Sequence, residues 1–600
     1  MKIVHLARLV PEKAKKYGDK VAIRYRDYTD NKWKSISWNN FDRDIRYTAS
    51  SMLENGMEKG SNIGLFSQNK PECLIVDFAT YSIRAVGIPM YATCTTAQIE
   101  YIIRDAGIEL LFAGEQYQYD RAFEALKADC GLKQIVVFDT DVRLAVSDES
   151  TIYFKDFLQK GYLAGHDNDV AALVESASKD DLANILYTSG TSGESKGVML
   201  MHSMYMEALR VNDIKLYFLS DNEISLSFLP MTHIFEKTWD FFCLMRDIRI
   251  DINLKPTDVQ MTLREVRPTC MCCVPRFWEK IYNGIQEKIS ALPSFLRALF
   301  ESGVRVGKKY NMDYKRHGLR PPLRISLSYF IYSNTIFHYL KNVIGINRGV
   351  LFPVAGAKLS DELCAFFRSI GIQIYYGYGL TESTATVSCF DDTHYYIGTV
   401  GSIIDGLHVK IGQDNEILLK GKTITPGYYN KPEINAAAFA PDGFFRTGDA
   451  GAIDEHGHLI ITERIKDLFK TSNGKYIAPQ QIESALCADN YIDMATIIGD
   501  GYKYVTALIV PVSSLITDLA NSLGIKSGDM ETILKDERIY DFFDNRIRRI
   551  QKNMAGFEQI KKFTLLAVPF SMENGELTNT LKMRRKVILQ NYADIISGMY

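Results

Sequence analysis

Short apolar runs separated by amphipathic stretches dominate the first four hundred residues. Ser61-Asn62-Ile63-Gly64-Leu65-Phe66-Ser67 reads as a strand, residues 71–85 as a helix and Gly87-Ile88-Pro89-Met90 as the next strand. Residues 109–113 and 134–138 repeat the theme. Strands alternating with helices predict an α/β fold with parallel sheets covered on both faces. After about Gly401 the rhythm changes. Val409-Lys410-Ile411, Glu416-Ile417-Leu418-Leu419-Lys420 and Leu459-Ile460-Ile461 are short strands between glycine turns, predicting a small antiparallel β unit. From Leu468 onward strands and helices mix again, so a domain boundary is expected at 464–467.

One loop breaks this pattern with chemistry. Tyr187-Thr188-Ser189-Gly190-Thr191-Ser192-Gly193-Glu194-Ser195-Lys196-Gly197 follows the apolar run 182–186. Its glycines let backbone approach an anion, and its N–H groups and hydroxyls can donate to phosphate oxygens. A Walker A loop needs glycine before the lysine and Ser or Thr after it. Ser195 and Gly197 stand there instead. The alternative is a surface loop, and the loop alone does not decide.

Composition narrows the class. Of 600 residues, 46% are hydrophobic and 24% charged, as in globular proteins, and a net charge of −2 offers no global attraction to nucleic acid. Among ten cysteines only Cys270, Cys272 and Cys273 cluster, in an apolar run without a fourth metal ligand. They read as buried thiols on a strand, in a protein of a reducing, cytoplasmic compartment. No signal-peptide h-region and no transmembrane stretch is expected.

Four further segments carry candidate chemistry. In Tyr375-Tyr376-Gly377-Tyr378-Gly379-Leu380-Thr381-Glu382-Ser383, glycines between aromatics open a slot for a flat ring, and Glu382 is a hard oxygen ligand suited to Mg²⁺. In Arg446-Thr447-Gly448-Asp449-Ala450-Gly451, a carboxylate in a glycine turn can accept ribose hydroxyls. Glu463-Arg464-Ile465-Lys466-Asp467-Leu468-Phe469-Lys470 and the late run Asn574-Gly575-Glu576-Leu577-Thr578-Asn579-Thr580-Leu581-Lys582 are charged or turn-rich. Each alone also reads as ordinary turn or solvated face.

Together and in this order, the five segments resemble the adenylate-forming acyl-ligase superfamily, over about 7–585. Leu229-Pro230-Met231-Thr232-His233-Ile234-Phe235-Glu236-Lys237 and Val274-Pro275-Arg276-Phe277-Trp278-Glu279-Lys280-Ile281-Tyr282 look typical of its long-chain fatty acyl-CoA synthetase branch. The chain departs from the family pattern at Ser195, at Glu463 where glycine often stands, at Ala355-Gly356-Ala357-Lys358-Leu359, and at Asn579.

The resemblance implies a large N-terminal domain over 1–463, its β unit at about 400–463, a hinge at 464–467 and a mobile C-terminal domain over 468–600. It implies ATP, Mg²⁺ and coenzyme A as cofactors and co-substrates, with a long-chain fatty acid as substrate. Thr188 and Glu382 become the metal candidates. Ser189, Gly190, Thr191, Ser192, Gly193 and Lys196 would cradle the phosphates. Tyr378 would stack on adenine, with Tyr376, Gly377 and Thr381 beside it and Gly356 and Ala357 on the other side. Asp449 would hold the ribose and Arg464 assist there. Lys582, His233 and the hinge Lys466 complete the catalytic set. Two alternatives stay open: transfer to a carrier protein instead of coenzyme A, and an inactive acyl-binding homologue.

Phe228, Phe235, Trp239, Phe241 and Phe242 are candidates for an acyl tunnel, or else core aromatics. Residues 305–324 carry seven Lys/Arg and one Asp, followed by an aromatic run at 329–339. That pattern suits a peripheral membrane contact, or else a solvated basic helix.

Overall fold

The computed structural model describes residues 5–188, 195–465, 467–525, 528–578 and 583–600. The expected parallel sheet is there. Its seven strands lie in the order Thr151–Tyr153, Gln134–Val137, Leu110–Ala113, Asn62–Phe66, Val86–Met90, Leu182–Thr188 and Lys196–Met201. Six run parallel, and the last returns antiparallel to Leu182–Thr188. Helices between them start and stop where local chemistry dictates. Thr95 and Gln98 form a capping box on Thr96–Ala106, and Gly107 ends that helix at φ +64°.

A second sheet runs Lys32–Ser37, Val21–Asp27, Arg249–Ile252, Ile224–Ser227. Bridges Ser225–Cys270, Cys270–Leu351 and Cys273–Val354 carry it on to Phe352–Val354 and Ile374–Tyr378. From Arg249–Ile252 to Ile374–Tyr378 the members are parallel, so their C-terminal ends open on one edge. Cys270, Cys272 and Cys273 are buried there, and no metal-ligand cluster exists among the described residues.

Helix Pro71–Ser82 touches strands of both sheets and is buried on nearly every side. Its Asp77 pairs with Lys237 inside the core, both almost fully buried. Phe241 packs on Phe78, Tyr81 and Tyr205, and Trp239 stacks on Phe242 while donating to Ser225 Oγ at 2.9 Å. These three tunnel candidates are therefore core aromatics; Phe228 and Phe235 remain half-buried.

The antiparallel unit comprises Leu407–Ile411, Glu416–Gly421, Phe445–Ile453 and Leu459–Arg464. After Arg464 come a hairpin, Phe469–Lys470 with Tyr476–Ile477, and a sheet of Ile492–Ile498, Val505–Pro511 and Ile560–Leu565 with its own core. The basic stretch is not one helix. It continues helix Ser294–Lys308 through a π-turn, Lys309–Tyr314, and a 3₁₀ turn, Lys315–His317. No helix among the described residues is long and apolar enough to cross a membrane.

Candidate active site

The phosphate-loop candidates Ser189, Gly190, Thr191, Ser192 and Gly193 lie outside the described residues, as do Lys466 and Lys582. The loop's two stems are described. Thr188 ends one strand and Lys196 begins the next, paired across a hairpin, with Thr188 Oγ1 3.4 Å from the Lys196 carbonyl. Tyr187 donates to Asp105 at 2.6 Å, Lys431 pairs with Asp105 at 3.1 Å, and Tyr101 donates to the Ser195 carbonyl at 3.0 Å. The mouth of the loop is thus pinned by side chains from two distant segments, helix Thr96–Ala106 and the turn that carries Lys431.

Lys196 Nζ sits 5.3 Å from the centre of the Tyr428 ring, a cation–π distance. The Tyr428 hydroxyl donates to Glu382 Oε1 at 2.8 Å. Burial, then the nearby Glu382 charge, push the Tyr428 phenol up, so it stays a donor. Backbone bonds reinforce the link: Thr425 N to Glu382 O at 2.8 Å, and Tyr429 N to Gly197 O at 2.8 Å. Lysine and carboxylate, 186 positions apart in sequence, meet on one tyrosine.

Glu382 is presented by a tight turn. A Cβ on Gly379 would fall 1.3 Å from the Ala385 carbonyl oxygen, so only glycine fits. At the other end of Tyr378–Glu382, the Tyr378 hydroxyl donates to Asp449 Oδ2 at 2.5 Å. Arg464 Nε donates to Asp449 Oδ1 at 2.9 Å, its strand neighbour across the antiparallel unit. Asp449 raises the Arg464 pKa first of all causes, and burial first, then Asp449, raises that of Tyr378. Asp449 lies within strand Phe445–Ile453 beside Gly448 at φ +70°, rather than in a separate turn.

Tyr376 does a different job. Its hydroxyl accepts from Leu359 N at 3.1 Å and lies 3.2 Å from the Ala357 carbonyl, fixing the loop that holds Gly356 and Ala357. A Cβ on Gly356 would find nothing nearer than 3.9 Å and one on Gly448 nothing within 4 Å, so backbone faces open space at both. Gly377 is packed against Ser388 O, where a Cβ would sit at 2.7 Å, so it serves the strand and not an open slot. Thr381 opens the short 3₁₀ turn that carries Glu382.

His233 caps helix Ile234–Met245, its ring nitrogen accepting from Phe235 N at 3.3 Å. Asn69 holds the preceding loop through Leu229 O at 2.7 Å and Met231 N at 2.9 Å. Because Ile224–Ser227, the 270–273 segment, Phe352–Val354 and Ile374–Tyr378 are parallel neighbours, the loops bearing His233, Gly356 and Glu382 leave the same sheet edge. Ligands of open α/β sheets bind outside the carboxyl ends of their strands. One turn into the helix, burial raises the Glu236 carboxyl, and raises Asp240 to about 8.

The C-terminal domain abuts this edge. Arg276, on helix Pro275–Ser290, donates to the Asp493 carbonyl at 2.9 Å and pairs with its carboxylate. Glu463, one residue before Arg464, is buried, and burial raises its carboxyl to about 7. Glu483 and Asp467 push in the same direction, whereas Arg585 opposes them.

The model of the AMP-binding enzyme family matches residues 10–429. The chain belongs to that family. A model of the AMP-binding enzyme C-terminal domain matches 466–600. The long-chain-fatty-acid–CoA ligase FadD15 of Mycobacterium bovis is 27% identical over 583 residues, 96% of this chain and 94% of the relative. The long-chain-fatty-acid–CoA ligase ACSBG2 of Xenopus laevis is 26% identical, covering 100% of this chain and 84% of the relative. Among solved structures, the adenylation domain of a carboxylate reductase from Mycobacterium chelonae superposes with TM-score 0.75 at 18% identity, over 99% of this chain and 91% of that one. O-succinylbenzoate coenzyme A synthetase from Bacillus subtilis, solved with ATP and magnesium ion, gives 0.63 at 16%, over 96% and 98%. These share the fold.

Sequence reading of this family member missed Tyr428, Asp105 and Thr425. The available signal was Pro426-Gly427-Tyr428-Tyr429, a turn followed by two aromatics. Nothing in that string says that it pairs with the strand leaving the phosphate loop.

Proposed function

We propose that this chain is an ATP-dependent long-chain fatty acid:CoA ligase. The observation that supports it best is the pair of carboxylates flanking Tyr378–Glu382. Glu382 joins the phosphate-loop stem through Tyr428 and Lys196, and Asp449 is shared by Tyr378 and Arg464. A nucleotide lying along this turn would have polyphosphate at one end and sugar at the other.

In the first half-reaction the fatty acid carboxylate attacks the α-phosphorus of ATP and pyrophosphate leaves. Both reactants are anions, so the work of the site is orientation and charge neutralisation. Lys196 and the 189–193 loop would hold the outer phosphates, Lys582 the α-phosphate and Asp449 the ribose hydroxyls. Thr188 and Glu382 would hold Mg²⁺, which when bound screens the phosphate charges. Tyr378 would cover one face of the adenine, with Gly356 and Ala357 on the other. His233 would stand at the acyl junction. In the second half-reaction the thiol of coenzyme A attacks the acyl carbonyl and AMP leaves, after rotation about Lys466. Hinges of this kind are a few residues absorbing a large φ/ψ change. The same proposal places the chain at the cytoplasmic face of a membrane, touching it through 305–339.

A coenzyme A-dependent AMP-release screen from acetate to oleate tests the reading. Release that rises with chain length supports it. Pyrophosphate exchange without coenzyme A-dependent release, restored by a phosphopantetheine carrier, would replace coenzyme A as acceptor.

A further inference from the structure

Helix Leu323–Asn334 has no buried residue. Its inner face is anchored: Tyr329 stacks on Tyr310 with ring centres 4.1 Å apart, and Tyr332 donates to Ser302 at 3.2 Å. Its outer face is apolar. Leu323, Leu327, Phe330 and Ile331 are 89%, 64%, 65% and 54% exposed. Their spacing puts them on one side of the helix. Phe295 and Leu299, one turn apart on Ser294–Lys308, are also exposed. Folded monomers rarely gather several large apolar side chains on one exposed helix face.

The surroundings are cationic. Residues 292–348 hold ten Lys/Arg against Glu301 and Asp313, a net of +8 on a chain whose total is −2. Arg305, Lys308, Lys309, Arg320 and Arg324 are exposed. Protein interfaces deplete lysine at an apolar core, and a second copy of this chain would set two like charges face to face. Apolar side chains rimmed by cations match an anionic bilayer, whose acyl region takes the first and whose headgroups take the second.

We infer that the outward face of helix Leu323–Asn334, with the exposed Phe295 and Leu299 of the helix it packs on, inserts into the interface of an anionic lipid bilayer while the 305–324 cations hold its headgroups. Binding rests on these side chains alone; only its use, drawing a fatty acid from the bilayer, rests on the ligase reading. Helix Ser294–Lys308 packs on Asp361–Ser369, which follows the Gly356 loop, so the docked surface connects to the sheet edge that carries the candidate site.

The test is flotation of the full chain with vesicles of phosphatidylcholine alone or mixed with phosphatidylglycerol. Binding is expected to the mixed vesicles, weakening with salt. Lys308→Glu with Lys309→Glu should lower partitioning at least tenfold, at roughly fivefold per cation near the surface. Leu327→Ser with Phe330→Ser should abolish it. Both variants should retain turnover of oleate presented on albumin without vesicles; absence of turnover in the parent as well would refute the ligase reading without touching the flotation result. Should a variant misfold, slowed hydrogen exchange of the parent at 319–334 on mixed vesicles carries the same information. Equal binding to both vesicle types, variants that float like the parent, unchanged exchange, or a dimer in light scattering that Leu327→Ser with Phe330→Ser dissolves would each overturn the inference.

Discussion

Tyr428 donates its hydroxyl to Glu382 while its ring lies under Lys196. One side chain thereby fixes the distance between the phosphate-loop stem and the candidate metal carboxylate. Tyr428→Phe keeps the ring and deletes the donor. A hydrogen bond to a charged group contributes about 1.5–3 kcal/mol. We expect pyrophosphate exchange to require roughly tenfold more Mg²⁺ for half-maximal rate, with little change in thermal stability. An unchanged Mg²⁺ dependence would remove Glu382 from the metal role.

Asp449 has both oxygens engaged, by Tyr378 and Arg464. Asp449→Asn leaves Arg464 facing an uncharged group and weakens any bond to ribose hydroxyls. The ATP KM should rise at least tenfold, consistent with loss of a charge-assisted pair. A double-mutant cycle with Arg464→Gln should show strong coupling; additive effects would separate the two residues functionally.

Glu463 gives the site a pH dependence of predictable sign. Its carboxyl is raised from the ordinary value of 4.5 to about 7 in this arrangement. A raised acid favours the arrangement fully below 4.5, and that contribution is lost as pH climbs through about 7. Alkaline conditions should therefore loosen the packing of Glu463 against Glu483 and Arg585. Protease cleavage within 464–468 should increase between pH 6 and about 8, and Glu463→Gln should flatten the profile. The same slope in Glu463→Gln would point to another group.

The Asp77–Lys237 pair is buried in the core between the sheets. Asp77→Ala leaves a lone ammonium there and should cost about 3–5 kcal/mol. Replacing both with Leu and Met should recover most of that loss. Urea denaturation measures both, and equal instability of single and double variants would contradict the account.

Lys582→Ala separates the half-reactions. Acyl-adenylate formation should fall by orders of magnitude, while thioester formation from supplied acyl-adenylate persists. Equal loss of both steps would reassign the residue.

Much of this protein was legible in its sequence because the signals are local. Apolar runs of strand length gave the parallel sheet to within a residue or two, as at Asn62–Phe66 and Gln134–Val137. Glycine turns gave the antiparallel unit. Glu382 and Asp449 could be singled out only because their motifs, each ordinary alone, occur together with three others in the order of a known family. Pairing between distant strands has no such local mark. Only the folded chain put Tyr428 beside Gly197 and Glu382, tied Asp105 to Tyr187, and sent Trp239 and Phe241 into the core. It also turned Leu323, Leu327 and Phe330 outward, where hydrophobicity alone would have buried them. A sequence fixes what each segment prefers; which face finds a partner is settled by the neighbours that arrive from elsewhere in the chain.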